Sequence, residues 1–255
     1  MPAPELLSSQ GLRLDGRRPN ELRRIRCKLG VFTQPDGSAY LEQGNTKVLA
    51  AVYGPHQAAK SKSSNDGVVV NCQYSMATFS TGERKNRPRG DRKSQEMSMH
   101  LRQALTAAIK TELYPRSQID VYVEVLQADG GAYCACVNAA TLALTDAGVP
   151  LRAYAVACSA SATAGARPGA LVDVGHVEEA QGGVVLTVAS LPNTVYVFRQ
   201  CSVVGDVSQI THGLFRCGDE SRNAGLQGYR GNPGQSSERT SSRRLDKARC
   251  CHDMK

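Results

Sequence analysis

Residues 119–147 read IDVYVEVLQADGGAYCACVNAATLALTDA. The first seven alternate strictly, which sets Ile119, Val121, Val123 and Val125 on one side of a strand. The turn Ala128-Asp129-Gly130-Gly131 comes next, followed by a helix from about Tyr133 to Ala147. That helix is rich in Ala and Leu, with Gly148 placed to end it and Pro150 just beyond. A glycine turn opening a helix leaves backbone N–H groups and the positive end of a helix dipole pointing outward, so Gly130-Gly131 is a ready anion site.

Outward from this stretch the same layering continues. Upstream, Met97, Leu101, Ala104, Leu105, Ala108, Ile109 and Leu113 recur at the spacing of a helix with one buried face, between Lys93 and Leu113, and Tyr114-Pro115 closes it. Leu22 to Gly54 reads as three β-rich stretches punctuated by Pro35-Asp36-Gly37 and Gln43-Gly44-Asn45. A polar loop, Ala58 to Gly67, precedes a strand from Val68 to Thr78. Downstream, strands are expected at Tyr154 to Ala162 and Val184 to Leu191, with Leu171 to Glu179 between them. Strands alternating with helices imply an α/β (α+β mixed) layer structure. Beyond Pro192 the character changes. Gly218 to Lys255 is rich in Gly, Ser, Arg and Asn, has no sustained apolar period, and is expected to stay largely unfolded.

With 255 residues and 41% hydrophobic content the chain can bury a sizeable core, as one large domain or two small ones. No basic-then-apolar leader opens it and nowhere do eighteen apolar residues run together, so neither secretion nor membrane spanning is expected. The cysteines number nine and form no C-x-x-C pair, which suits reduced thiols in the cytosol or nucleus. The formal charge of +8 invites a nucleic-acid partner. Its location matters more than its size: half of the excess lies after residue 190, and the informative part is the run Arg84, Lys85, Arg87, Arg89, Arg92 and Lys93, opposed only by Glu83 and Asp91. A charge run in a loop is often just a solvated surface. Arg92 and Lys93, however, fall at a helix start, where the dipole disfavours cations, so something else must favour them.

Six motifs occur in order: Gly16-Arg17-Arg18, Asp36-Gly37-Ser38-Ala39, Gly44-Asn45-Thr46-Lys47, Val52-Tyr53-Gly54-Pro55, Phe79-Ser80-Thr81-Gly82-Glu83-Arg84-Lys85 and Leu126-Gln127-Ala128-Asp129-Gly130-Gly131. Together they resemble the RNase PH family, in the form found as ring subunits of the RNA exosome. The likeness runs on to Val177-Glu178-Glu179-Ala180 and fades near Pro192, which sets expected boundaries at 1–192 for an RNase PH-like domain and 193–255 for a non-family tail. The resemblance implies a mixed fold of the ribosomal-protein-S5-domain-2 type. It also implies assembly with other RNase PH-like exosome subunits in a six-membered ring, with cap and nuclease subunits and single-stranded RNA as further partners, and no membrane. Location in nucleus, nucleolus and cytoplasm, with rRNA processing and RNA degradation as the processes, is implied in the same way.

Family members with a complete site use inorganic phosphate and a divalent metal to release nucleoside diphosphates from RNA 3′ ends. Here the two residues after Gly130-Gly131, a hydroxyl residue and an arginine in active relatives, are Ala132 and Tyr133, so this phosphate site reads as a remnant. Asp173 keeps the first carboxylate of the family's acidic spacing. Glu179 is a methylene longer than the second, and Glu178 with Glu179 reads equally as a solvated pair. The resemblance places Arg84, Lys85, Arg92, Lys93 and Arg102 on an RNA path. The expectation is therefore a non-catalytic RNA-path and scaffold subunit without cofactor, the rival being an active phosphorolytic exoribonuclease needing Mg and phosphate. A free-standing RNA-binding module is the third class. The tail admits a further reading: codons chosen for Leu214 to Glu238 and read one base on can spell an amphipathic helix like the family's last, so a shifted reading frame is expected there, a genuine alternative C-terminus being the other reading.

Overall fold

The computed structural model describes residues 7–8, 10–58, 67–82, 91–163, 169–180, 184–191 and 194–200. Strands β1 (Ile25–Leu29), β2 (Gly37–Gln43) and β3 (Thr46–Gln57) form an antiparallel meander, closed at Gln43↔Thr46 around Gly44 in the left-handed region at φ 60°. Strand β4 (Val69–Met76), helix α1 (Arg92–Ala108) and strand β5 (Ser117–Gln127) make a parallel crossover unit, and β5 inserts beside β3. The resulting five-stranded mixed sheet has the order β1-β2-β3-β5-β4. After helix α2 (Ala132–Asp146) come β6 (Val156–Thr163), β7 (Gly169–Val172), the short helix α3 (His176–Ala180), β8 (Val184–Leu191) and β9 (Thr194–Gln200). The second sheet is antiparallel, in the order β7-β6-β8-β9.

Alternation explains the first sheet. Ile119, Val121, Val123 and Val125 are all buried, and they share one apolar core with Leu41, Val48, Ala50, Val52 and Val70, where α1 packs on β4 through Leu101, Ala104, Leu105 and Ala108 and α2 packs on β2 and β3. Helix α2 differs from α1 in being apolar nearly all round, because it packs on both sheets at once, against β2 and β3 on one side and β6 and β8 on the other. Its alanines let backbone approach backbone. A Cβ on Gly37 would stand 2.3 Å from the Ala143 carbonyl oxygen and 2.4 Å from the Ala147 nitrogen.

One expectation is corrected. The first helix stops at Ala108 rather than near Leu113, because Ile109 turns extended and bridges to Leu151, with Lys110 N–H donating to Pro150 O and Arg152 N–H to Ala108 O. A 3-10 turn then carries Thr111–Leu113, and Leu113 is exposed. A strand that the sequence reading does not name, β9, pairs with β8 from Leu191↔Thr194 to Val185↔Gln200. Among the described residues no helix is long and apolar enough to cross a membrane. Residues 201–255, including the stretch expected to be unfolded, lie outside the described residues.

Gly37→Ala is expected to cost about 1–3 kcal/mol, because the added methyl meets backbone rather than a flexible side chain. Urea unfolding measures it. A loss below about 0.5 kcal/mol would mean that α2 moves aside without penalty.

Candidate functional site

Three segments of unrelated sequence position meet at the start of α2. The turn after β5 is fixed residue by residue: Ala128 N–H donates to Ser80 O (2.9 Å), Asp129 N–H to Thr46 Oγ1 (3.2 Å), and Asn45 Nδ2 to Asp129 Oδ2 (3.0 Å). Arg23 holds the outer carbonyls, donating from Nη1 to Asp129 O (2.7 Å) and from Nη2 to Gly130 O (3.2 Å). Gly130 and Gly131 both have positive φ, 76° and 60°. At Gly130 close approach is as demanding as conformation: a Cβ there would lie 2.5 Å from Val174 O and 2.7 Å from His176 N. That contact brings the start of α3 against the start of α2, and Gly131 N–H donates to Glu179 Oε1 at 2.9 Å.

Asp173, the first acidic remnant, is fully buried at φ 56°, a left-handed conformation that Asp tolerates better than most residues. Its Oδ2 accepts the Arg23 backbone N–H (2.8 Å), while Oδ1 accepts Arg23 Nη2 (2.7 Å) and Gln43 Nε2 (2.8 Å). Burial works against the Arg23 charge, but Asp173 outweighs it and the guanidinium pKa is raised. With both oxygens taken by donors and an arginine as its nearest charge, Asp173 does not fit a divalent cation. Among the described residues no group of three or more His, Cys, Asp or Glu is disposed to hold a metal. Nor are Glu178 and Glu179 a solvated pair. Glu178 is buried and makes a two-pronged ion pair with Arg13, whose Nη1 also donates to Val172 O (2.6 Å); Glu179 turns the other way, to Gly131.

The residues that follow the glycines supply nothing for an anion. Ala132 carries only a methyl group. Tyr133 is 8% exposed and belongs to the apolar core, where burial, then the neighbouring Cys134, Cys136 and Cys72, push its phenol pKa up.

On the other side of the turn, Asn45, Lys47, Phe79 to Gly82 and Leu126 to Asp129 line an open groove of about 600 Å³. In the sequence Lys47 and Phe79 stand out only as members of longer motifs. The structure gives them a place on the groove wall, with Phe79 69% exposed, a feature that no local pattern announces because it depends on what the fold leaves uncovered. Of the expected basic residues, Arg92 and Lys93 are exposed in the first turn of α1, whose Asp91 cap makes no side-chain hydrogen bond and which holds no acid. Arg102 is exposed farther along α1, near Cys72 of β4, and does not line the groove. Arg84 and Lys85 lie outside the described residues.

Residues 21–150 match the 3′ exoribonuclease family, domain 1 (RNase PH). The chain is 63% identical over 190 residues to mouse (Mus musculus) exosome complex component RRP41, covering 74% of this chain and 76% of that one. Its fold is similar to the crystal structure of rice (Oryza sativa) Rrp46, with a TM-score of 0.72 at 24% identity over 86% of this chain and 98% of that one. It is also similar to a chain of the Archaeoglobus fulgidus exosome with RNA bound to the active site, with a TM-score of 0.68 at 21% identity over 82% and 89%.

The Arg13–Glu178 pair gives the site a pH signature. Burial would raise the Glu178 carboxyl pKa, but the Arg13 guanidinium, the Gly175 N–H and the charge of Arg17 outweigh it and hold it below the ordinary glutamate value. A carboxyl depressed on folding contributes stability that is present above its unfolded pKa and is lost as pH falls through the folded one. Glu178→Gln is therefore expected to cost about 3–5 kcal/mol at neutral pH, since Arg13 stays buried without its countercharge, and to flatten the acid limb of stability against pH. Urea midpoints from neutral pH into acid check this. Parallel acid limbs in both proteins would show that the pair does not set the acid sensitivity.

Proposed function

Since the chain belongs to the 3′ exoribonuclease (RNase PH) family, we propose that it is an RNA-path and scaffold subunit of an exosome, a 3′-to-5′ RNA processing and degradation complex, with no phosphorolysis of its own. One observation carries the reading: the helix start that must hold an attacking phosphate has Ala132 and a core-buried Tyr133 where a hydroxyl and a guanidinium are needed. A phosphate there would gain no donor from Ala132 or Tyr133; near Gly131 it would find Ser159 Oγ and an Arg23 guanidinium already bonded to Asp173, beside the carboxylates of Asp173 and Glu179. The 63% identity to mouse exosome complex component RRP41 supports assembly with other exosome subunits, and the proposal takes that assembly to be a six-membered ring of RNase PH-like subunits with cap and nuclease subunits. In that setting rRNA processing and mRNA turnover in nucleus, nucleolus and cytoplasm follow, and no cofactor is required of this chain.

Single-stranded RNA is the ligand that suits the basic residues. Arg92 and Lys93 stand exposed at a helix start that disfavours cations, and a phosphate backbone running past would reverse that cost. Lys47 adds a charge on the groove, and Phe79 offers one open ring on which a base can stack. Recognition on this basis is phosphate-led and tolerant of sequence.

The deciding experiment is RNA digestion by the chain assembled with its ring partners, without added nuclease subunits, in phosphate buffer. Intact RNA is expected; release of nucleoside diphosphates would favour the active phosphorolytic enzyme instead. Arg92→Glu with Lys93→Glu is expected to weaken single-stranded RNA binding by the assembled ring and to lower its salt slope by about 0.7 for each RNA phosphate that is no longer neutralised, leaving assembly intact. Affinity unchanged across a salt titration would remove these residues from the RNA path.

A further inference from the structure

The hydrogen bond between Gly131 and Glu179 is more than a by-product of the missing phosphate ligands. The first two residues of α2, Ala132 and Tyr133, offer no donor to an anion, yet an anion is there: the Glu179 carboxylate, accepting the N–H of the helix cap at 2.9 Å. Nothing about two adjacent glutamates requires this. Glu178 is drawn inward by Arg13 and also accepts Gly175 N–H (2.8 Å), which fixes the first turn of α3. The close approach at Gly130 then sets the next side chain within reach of α2. The Arg23 guanidinium donates its hydrogen bonds to Asp173 and to the carbonyls of Asp129 and Gly130, and its charge is also favoured by Glu179, so the carboxylate sits beside the one cation that an entering anion would use.

We propose that Glu179 is a tethered carboxylate lock, held by its own hydrogen bond on the cap N–H of α2 so that inorganic phosphate cannot enter. The lock deepens the non-catalytic reading and rests on it. A bound carboxylate competes with phosphate twice, by occupying the donor that phosphate would use and by repelling a second anion at contact distance. Loss of the hydroxyl and guanidinium is then only half of the inactivation. Reinstating a donor at Ala132 alone would leave the entrance closed, and removing Glu179 should open it even without that donor.

The test uses the full chain with its ring partners, with inorganic phosphate as the probe and chloride at matched ionic strength as the control. Wild type, Glu179→Ala, Ala132→Thr and the double variant are compared by phosphate titration and by amide hydrogen exchange across residues 129–133. Expected are no saturable phosphate binding in wild type or Ala132→Thr, and binding about tenfold tighter or more in both proteins lacking Glu179, with exchange at the turn quickened by the substitution and slowed again by phosphate. Glu179→Asp, a methylene short of Gly131, carries the same expectation in weaker form and serves if the alanine variant folds poorly. A folded Glu179→Ala protein that binds phosphate no better than wild type overturns the lock, as does wild-type binding equal to that of the variant. Nucleoside diphosphate release by the wild type would overturn the non-catalytic reading and the lock together, whereas inert RNA with an unresponsive variant overturns the lock alone.

Discussion

The buried pair between Arg23 and Asp173 ties together parts of the chain that share no secondary structure. Asp173 stands at the end of β7 and Arg23 just before β1, so one 2.7 Å contact from Nη2 joins the two sheets, and Nη1 together with the same Nη2 holds the carbonyls of the turn that opens α2. Arg13 makes a parallel clasp on Glu178, one turn of chain farther on. The segment from residue 10 to residue 24 has no helix and no named strand, and it is ordered by these arginines reaching across to the 172–178 loop. A buried carboxylate left without such partners would be costly, so strap and loop are each conditional on the other.

The candidate site inherits its shape from that arrangement and its chemistry from a few side chains. Backbone features suited to an anion persist: two glycines at positive φ, a helix of fifteen residues pointing at them, and a cleft beside them. The side chains at this place are Ala132 and Tyr133 after the glycines and the Glu179 carboxylate facing them. On the proposed non-catalytic reading, the chemistry is set by these few side chains and not by the backbone.

Much of this is legible in the sequence, and what is not has physical causes. The alternation from Ile119 to Val125 can be read because each second residue is buried by helices on one face, and the stop of α2 because Gly148 takes a positive φ. The end of α1 is misleading because Ile109 fits the helical period equally well, and only pairing with Leu151 decides against it. Strand β9 falls outside the expected boundary although TVYVFRQ alternates well, because that boundary follows the fading resemblance rather than the residues themselves. Glu178 and Glu179 read as ordinary surface acids since neither neighbour betrays Arg13, 165 positions away, or Gly131, 48 positions away. The exposure of Phe79 is likewise a property of the assembled fold.

Helix α2 has two duties that cannot be separated. Its body is the shared filling of both sheets, and its first turn is the floor of the site, so the two are one rigid rod. Drift in the core is therefore transmitted to the mouth of the cleft, and the cleft cannot be remodelled by sliding the helix without unseating both sheets. Selection for a sound scaffold therefore preserves the geometry of the cleft whatever chemistry its side chains carry. Its shape is held by work done elsewhere in the molecule, and its use can change through exchange of very few side chains.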